Sequence, residues 1–412
     1  KRIKDSGDIF MAHADRAWVL EGAAVRVSMV GFDDGSEDEK CLENAPVAHI
    51  NSDLTGTIDI TKAVPLNENF SISFEGDKKA GAFDVSKDIA TQLISEKNPT
   101  SHQNSDVVRP WVNGSDIVQR PRSMWIIDFG EMPLDEAEKY LKPMQYVIHH
   151  IKPSRLSNNE RRSRENWWLH QRSRPEMRKA LTDKKRFICT PRVSKHRIFV
   201  WLSTEVLADS ATAVFAREDD YFFGVLHSKL HEVWSLRMGT WLGKGNDPRY
   251  TPTTTFETFP FPWSPGHEDT DSAAYQAISA AAKQLHEERD AWLNPTPPSV
   301  PPQRFGEGDR EGKNVPPQRA QADREGRKIS AKALKERTLT NLYNALAVFR
   351  GQDAMKIKAS AGEFAPRLVE LHDALDRAVC DAYRWDHAVL DDEESILRHL
   401  LDLNLQRAAT QP

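Results

Sequence analysis

Cysteine is scarce in this sequence: 412 residues hold three, Cys41, Cys189 and Cys380, far apart and without a Cys-x-x-Cys pair. That leaves no basis for a disulfide framework or a cysteine zinc site, and free thiols in a reducing cytoplasm are the expectation. Long apolar runs are missing as well. None approaches the roughly 18 residues that a membrane helix needs, so no membrane partner is expected. No charged-then-apolar leader follows Lys1, and a chain opening on Lys rather than Met reads as the later part of a longer protein. Nucleotide-binding glycine patterns are absent too. No Gly-x-Gly-x-x-Gly follows a strand, Gly239 to Lys244 does not complete a triphosphate loop, and no Gly-x-Ser-x-Gly elbow occurs. What remains, 39% hydrophobic and 28% charged, describes two or three globular domains.

What the chain has is concentrated positive charge. Lys152 to Arg197 carries ten Arg and five Lys against four acids, in a chain whose net charge is −5. Such an excess marks a face built for a polyanion, with nucleic acid as the expected partner. Arg outnumbers Lys, which favours bidentate contacts to phosphates and guanine edges. Interleaved are Trp167, Trp168, His170, Phe187, His196, Phe199 and Trp201, rings that could stack on bases. The bland alternative is a solvated surface over ordinary core aromatics.

Apolar patterning organises the rest. Ala23–Phe32 alternates as a half-buried strand, and with a second strand near Val47–Leu54 it suggests a hairpin around the acidic tip Asp33–Glu43. Residues 70–265 read as mixed α/β. Helices are expected at Ile89–Glu96 and Leu134–Ile151, strands at Met124–Phe129 and across Phe187–Leu202, and one long helix over Asp219–Gly239. The segment 251–265 reads as an extended closing segment whose Phe256, Phe259 and Phe261 pack. Helices follow at 271–293, Ser330–Phe349, Pro366–Tyr383 and Asp391–Ala408. Between the first two of these, residues 297–328 are rich in Pro, Gly and charge and read as a flexible insert containing a crude duplication of VPPQR.

Candidate contacts fall in three places. In TPRVSKHRIFVWL, Arg192, Lys195, His196 and Arg197 would project from a polar window between apolar anchors and read bases. Upstream, Arg172 and Arg174 would position the phosphate backbone, making binding salt-dependent. In GKGNDPR (243–249), glycines would let backbone N–H groups approach an anion, with Lys244 and Arg249 adding charge. Asp247-Pro248-Arg249-Tyr250 resembles the Asp/Asn-Pro-Pro-Tyr loop of amino-methyltransferases, but Arg249 replaces the second proline and no hydrophobic strand precedes it. His227 and His231 stand four apart without an adjoining catalytic Glu, so packing is favoured and no metal is expected.

Taken in order, several blocks carry a resemblance: WVLEGAAVRVSMVGFD (18–33), NSDVVRPWVNGSDI (104–117), RPRSMWIIDFG (120–130), TPRVSKHRIFVWL (190–202), the long run 223–262 and RTLTNLYN (337–344). Together they resemble the C-terminal half of large bacterial adenine-specific DNA methyltransferases. These are the MmeI-like type IIG/IIL restriction-modification enzymes and the methylases of phage-defence islands such as DISARM. The resemblance implies three parts: residues 1–75 as the last strands of a catalytic AdoMet-methyltransferase sheet, 76–265 as an α/β target-recognition domain, and 266–412 as an all-α region. It implies methyl transfer from S-adenosyl-L-methionine to adenine N6 in double-stranded DNA, with other restriction or defence subunits as further partners. The family's glycine motif and Asn-Pro-Pro-aromatic loop have no match here. No catalytic or AdoMet-contacting residue is therefore assigned, and this chain is expected to grip DNA without methylating it. The alternatives are a non-catalytic specificity subunit and a nuclease; for the latter no Pro-Asp…Asp/Glu-x-Lys pattern is found.

Overall fold

The computed structural model describes residues 2–20, 23–242, 247–295 and 329–411. The insert 297–328 and positions 243–246, with Lys244, lie outside the described residues. Strands β1 (Asp8–Leu20) and β2 (Ala23–Asp33) form a long antiparallel pair, extended by β3 (Lys40–Leu42) and β4 (Ala45–Val47) in the order β2-β1-β3-β4. The partner expected for Ala23–Phe32 is thus corrected. It pairs with β1, from Ile9↔Phe32 to Leu20↔Ala23, and not with Val47–Leu54. Alternation shows that a strand has two faces but not which strand lies beside it. Among the described residues, Ile9, Ala12 and Ile50 are the ones fully packed in this sheet's own core.

The middle of the chain holds two further four-stranded sheets, so the α/β reading stands. Their strands are β5 (Ser73–Glu75), β6 (Asp84–Val85), β7 (Val108–Val112), β8 (Trp125–Ile127), β9 (Arg186–Pro191), β10 (Val200–Ser203), β11 (Leu207–Ala208) and β12 (Thr212–Phe215). They are ordered β10-β9-β12-β5 and β11-β7-β8-β6. The strand–turn–strand reading of Phe187–Leu202 holds: β9 and β10 pair antiparallel, Cys189 opposite Val200. Gly76 lies where these sheets meet. A Cβ there would come within 2.2 Å of the Asp209 carbonyl oxygen, so only glycine permits the approach.

An all-α region follows. The single helix expected over Asp219–Gly239 is two, Asp220–His227 and Lys229–Met238. Ser228 ends one and caps the next: its ψ is 156°, and its hydroxyl accepts from the His231 N–H. The Asp220–His227 helix packs closely on Ala273–Leu293 because residue 224 is glycine; a Cβ would meet Ile278 Cγ2 at 2.8 Å and Ala282 Cβ at 2.9 Å. Helices Leu339–Phe349, Ala359–Tyr383 and Glu393–Ala408 complete the bundle. One continuous core runs from Ile60 to Leu401, and Phe256, Phe259 and Phe261 are wholly buried within it. Of residues 251–265, expected to be extended, Pro252–Phe256 form a π-helical turn instead.

Candidate nucleic-acid interface

Four of the expected arginines converge at one corner where the two middle sheets meet. Glu75, the last residue of β5, is the hub. Its Oε1 lies 2.7 Å from Arg192 Nη1, and its Oε2 pairs with Arg174. Arg174 also donates from Nε to the Gly76 carbonyl at 3.2 Å, and Arg192 from Nη1 to the Ser210 carbonyl at 3.2 Å. Arg174 adopts a left-handed backbone with φ 54°, a conformation costing a non-glycine residue about 1–2 kcal/mol. Pro175 follows it and opens the Pro175–Leu181 helix.

Arg249 joins from strand β14 (Asp247–Arg249), which pairs with β13 (Thr240–Leu242). Arg249 bridges to Val193, and the Tyr250 N–H donates to the Arg192 carbonyl at 2.7 Å. Burial pushes the Arg192 guanidinium below its usual range; Glu75 opposes this, while the charges of Arg249 and Arg174 add to it. Arg172 continues the row. It is exposed, and its backbone bridges to that of Lys78, which is also exposed. Sequence reasoning missed Glu75 and Lys78, because the turn that brings them here is set by Gly76.

Beneath this corner lies a buried ion network. His170 Nδ1 is 2.6 Å from Asp77 and its Nε2 2.9 Å from the Ile127 carbonyl, so both ring nitrogens donate and the imidazole is a cation. Arg178 bridges the two acids, 2.8 Å to Asp77 and 2.7 Å to Asp128. Burial would push His170 down, but Asp77, helped by Asp128, raises it above its ordinary value. Burial would raise Asp128, yet Arg178 and His170 hold it at about 2. Asp77, Asp128 and His170 place donor atoms within 4.8 Å of one another, a grouping that could hold a metal. Arg178 and the His170 cation already balance those two carboxylates.

The remaining expected contacts go elsewhere. Lys195 and His196 face the helical region: Asn344 Oδ1 accepts from Lys195 Nζ at 3.1 Å and from His196 Nε2 at 2.8 Å, and Asp353 pairs with Lys195 at 2.8 Å. Arg197 corrects the expectation of a projecting window. It is 4% exposed and donates to the Ser235 hydroxyl and the Pro248 carbonyl, each at 3.2 Å; burial lowers its pKa to about 10. The aromatics are corrected likewise. Trp167, Trp168, His170, Phe187 and Phe199 are buried, and Trp201 stacks on Phe223 at 5.0 Å under Arg186. These rings belong to the core, and both faces of β9, which carries Phe187, are covered.

The Asn344 clasp leads to a test. Asn344→Ala should cost about 1 kcal/mol locally, the worth of a typical hydrogen bond, and speed tryptic cleavage after Lys195 about fivefold. Mass-mapped limited proteolysis checks it; unchanged cleavage would mean the window is held by other contacts.

Residues 75–263 match the family model described as MmeI, target recognition domain. Among solved structures, the type IIL restriction-modification enzyme MmeI in complex with DNA is similar over 99% of this chain, with a TM-score of 0.65 and 18% identity. The chain spans 47% of that protein, about half its length. No curated protein matches the chain in sequence. The glutamate hub, the arginine corner and the buried ion network all fall on the matched target recognition domain. Asn344 and Asp353 reach it from the helical region.

AdoMet, which the family resemblance implies, finds no fitted cradle among the described residues. Such a cradle needs a strand running through a glycine-rich turn into an open helix N-terminus. Strand β7 does run through Asn113 into a helix opening on Gly114. That N-terminus is closed, with Asn113 Oδ1 accepting from the Ser115 and Asp116 N–H groups. A Cβ at Gly114 would lie 3.1 Å from the Ala211 carbonyl. No step of methyl transfer is assigned to this chain.

Proposed function

We propose that this chain is the DNA-recognition part of an AdoMet-dependent, adenine-N6-specific DNA methyltransferase of a cytoplasmic restriction-modification or phage-defence system. Residues 1–75 end the catalytic sheet, 76–265 read the target, and 266–412 buttress the reader, with the insert 297–328 interrupting the buttress. AdoMet and the methyl-transfer residues belong to a part of the parent enzyme outside this chain. The reading is carried by one observation: Arg172, Arg174, Arg192 and Arg249 gather at one corner of a matched target recognition domain. In support, no helix among the described residues is long and apolar enough to cross a membrane.

Arg172 is exposed with no side-chain partner among the described residues, which suits a backbone-phosphate contact. Arg192 and Arg249, at the mouth of the β9–β10 loop, suit base edges or the phosphates flanking them. The test is fluorescence anisotropy of the full chain against duplexes enriched from a random library. Arg172→Ala should weaken binding to all sequences alike and lower the salt slope by about one unit; Arg192→Ala should shrink the preference for enriched over scrambled sequence. Absence of duplex binding at 20 mM salt, a concentration of roughly the order where phosphate contacts are strongest, would sink the reading.

A further inference from the structure

Glu75 is oddly placed for a protein that grips DNA, since its carboxylate sits among the arginines that should meet phosphate. Two guanidiniums bind this single acid directly, those of Arg174 and Arg192, and Arg249 stands close enough to Arg192 to lower its pKa. The group keeps an excess of positive charge even with Glu75 ionised. The Arg192 Nε–H is buried yet has no hydrogen-bond partner, so the guanidinium retains an unused donor. The Glu75 side chain is 32% exposed, which leaves it open to an incoming ligand. It also stands on β5, the outer strand of its sheet, paired on one side by β12 alone.

A carboxylate offers two acceptor oxygens to two arginine forks. The two non-bridging oxygens of a phosphodiester offer the same pattern. We infer that Glu75 is a built-in occupant of a phosphodiester site: it holds Arg174 and Arg192 in position and is displaced when a backbone phosphate of DNA arrives. This rests on the DNA-binding reading above and adds a role that reading does not need. The exchange swaps one negative charge for another. Indiscriminate phosphate contacts are therefore weakened, and sequences whose other contacts drive the displacement are favoured. The left-handed backbone at Arg174 and the glycine-only approach at Gly76 fix the geometry of the exchange.

The experiment compares the full chain with Glu75→Gln, using a fluorescein-labelled scrambled duplex and a library-enriched duplex. Removing the charge while keeping the shape should tighten scrambled-duplex binding about tenfold at low salt and steepen the salt slope by about one unit. The preference for the enriched duplex should shrink accordingly. Thermal melts verify folding. Should E75Q fail to fold, Glu75→Asp keeps the charge but is one methylene too short to hold both guanidiniums, and a gain of about threefold is expected. Scrambled-duplex binding unchanged or weaker in the folded variant overturns the inference while leaving DNA recognition intact. If the parent chain itself binds no duplex, the DNA-binding reading fails instead.

Discussion

Replacing Asp77 by alanine should cost about 3–5 kcal/mol of folding stability, because it strips one partner from an ion network whose acids and histidine are buried. Asp77 is 0% exposed and accepts from both His170 and Arg178. Without it the buried His170 cation and the half-buried Arg178 share Asp128, which Arg109 also approaches at 3.7 Å. The same residue ties the strands together: its N–H donates to the Ala208 carbonyl, and its carbonyl accepts from the Ser210 N–H, each at 2.8 Å. Those backbone bonds remain in the alanine variant, so the loss is that of the side-chain network. The sign of the pH dependence follows from His170, whose folded-state pKa is raised. Its contribution is fully present below 6.5 and is lost as pH rises through the folded value. Asp77→Asn, which keeps the shape, should accordingly destabilise more at pH 6 than at pH 9. Urea unfolding followed by tryptophan fluorescence reads both effects. A loss under 1 kcal/mol, or a larger penalty at pH 9, would contradict the paired-cation account.

Which parts of this architecture are readable from the chain depends on how far apart the deciding residues lie. Helices Lys87–Ser95, Ala273–Leu293 and Glu393–Ala408 match their apolar stripes within a few residues. Each carries a local start signal, with Ser86, Ser272 and Asp392 accepting from first-turn N–H groups. Ser228 shows the limit of periodicity. The spacing of Phe223, Leu226, Leu230 and Val233 continues across it, yet its hydroxyl competes for the backbone and splits the helix. Strand pairing is worse served, as β2 shows, because the partner of a strand is a tertiary choice.

For the site, the charge count singled out a segment but could not separate bound arginines from available ones. The acids that decide this are remote in sequence. Glu75 lies 99 residues from Arg174, Asp77 lies 101 from Arg178, and Asp353 lies 158 from Lys195. Arg197 makes no ion pair among the described residues; it is buried against a carbonyl and a hydroxyl, a fate that its neighbours Lys195 and His196 do not share. Local sequence carried the charge, and long-range folding allotted it.

The joint between the α/β middle of the chain and the helical region should be labile in acid. Arg289, 2% exposed, reaches from the Ala273–Leu293 helix to the Phe199 carbonyl at 2.6 Å and to His227 Nε2 at 2.6 Å. Tyr343 links His227 at 2.9 Å to His372 at 3.1 Å. Burial, reinforced by Arg289, holds His227 well below its ordinary pKa; burial with Arg350 and Arg289 does the same for His372. Burial lowers His231 to about 3. These bases are neutral in the fold and free to charge once unfolded, so stability falls as pH drops below 6.5. Two buried acids act the other way. Burial raises Asp376 to about 7 and also raises Glu232, so the native chain takes up protons there. Burial also lowers His196 and His286 and raises Asp209 and Glu257, so five histidines stand against four acids and the unfolded chain is about one proton ahead, about 1.4 kcal/mol per pH unit. Urea midpoints at pH 7, 6 and 5 should decline on that slope, and His372→Gln should flatten it by about one proton's worth. Midpoints that hold steady or rise on acidification would mean these imidazoles are not kept neutral by the fold. Arg289 would then join the two regions without making that joint sensitive to protons.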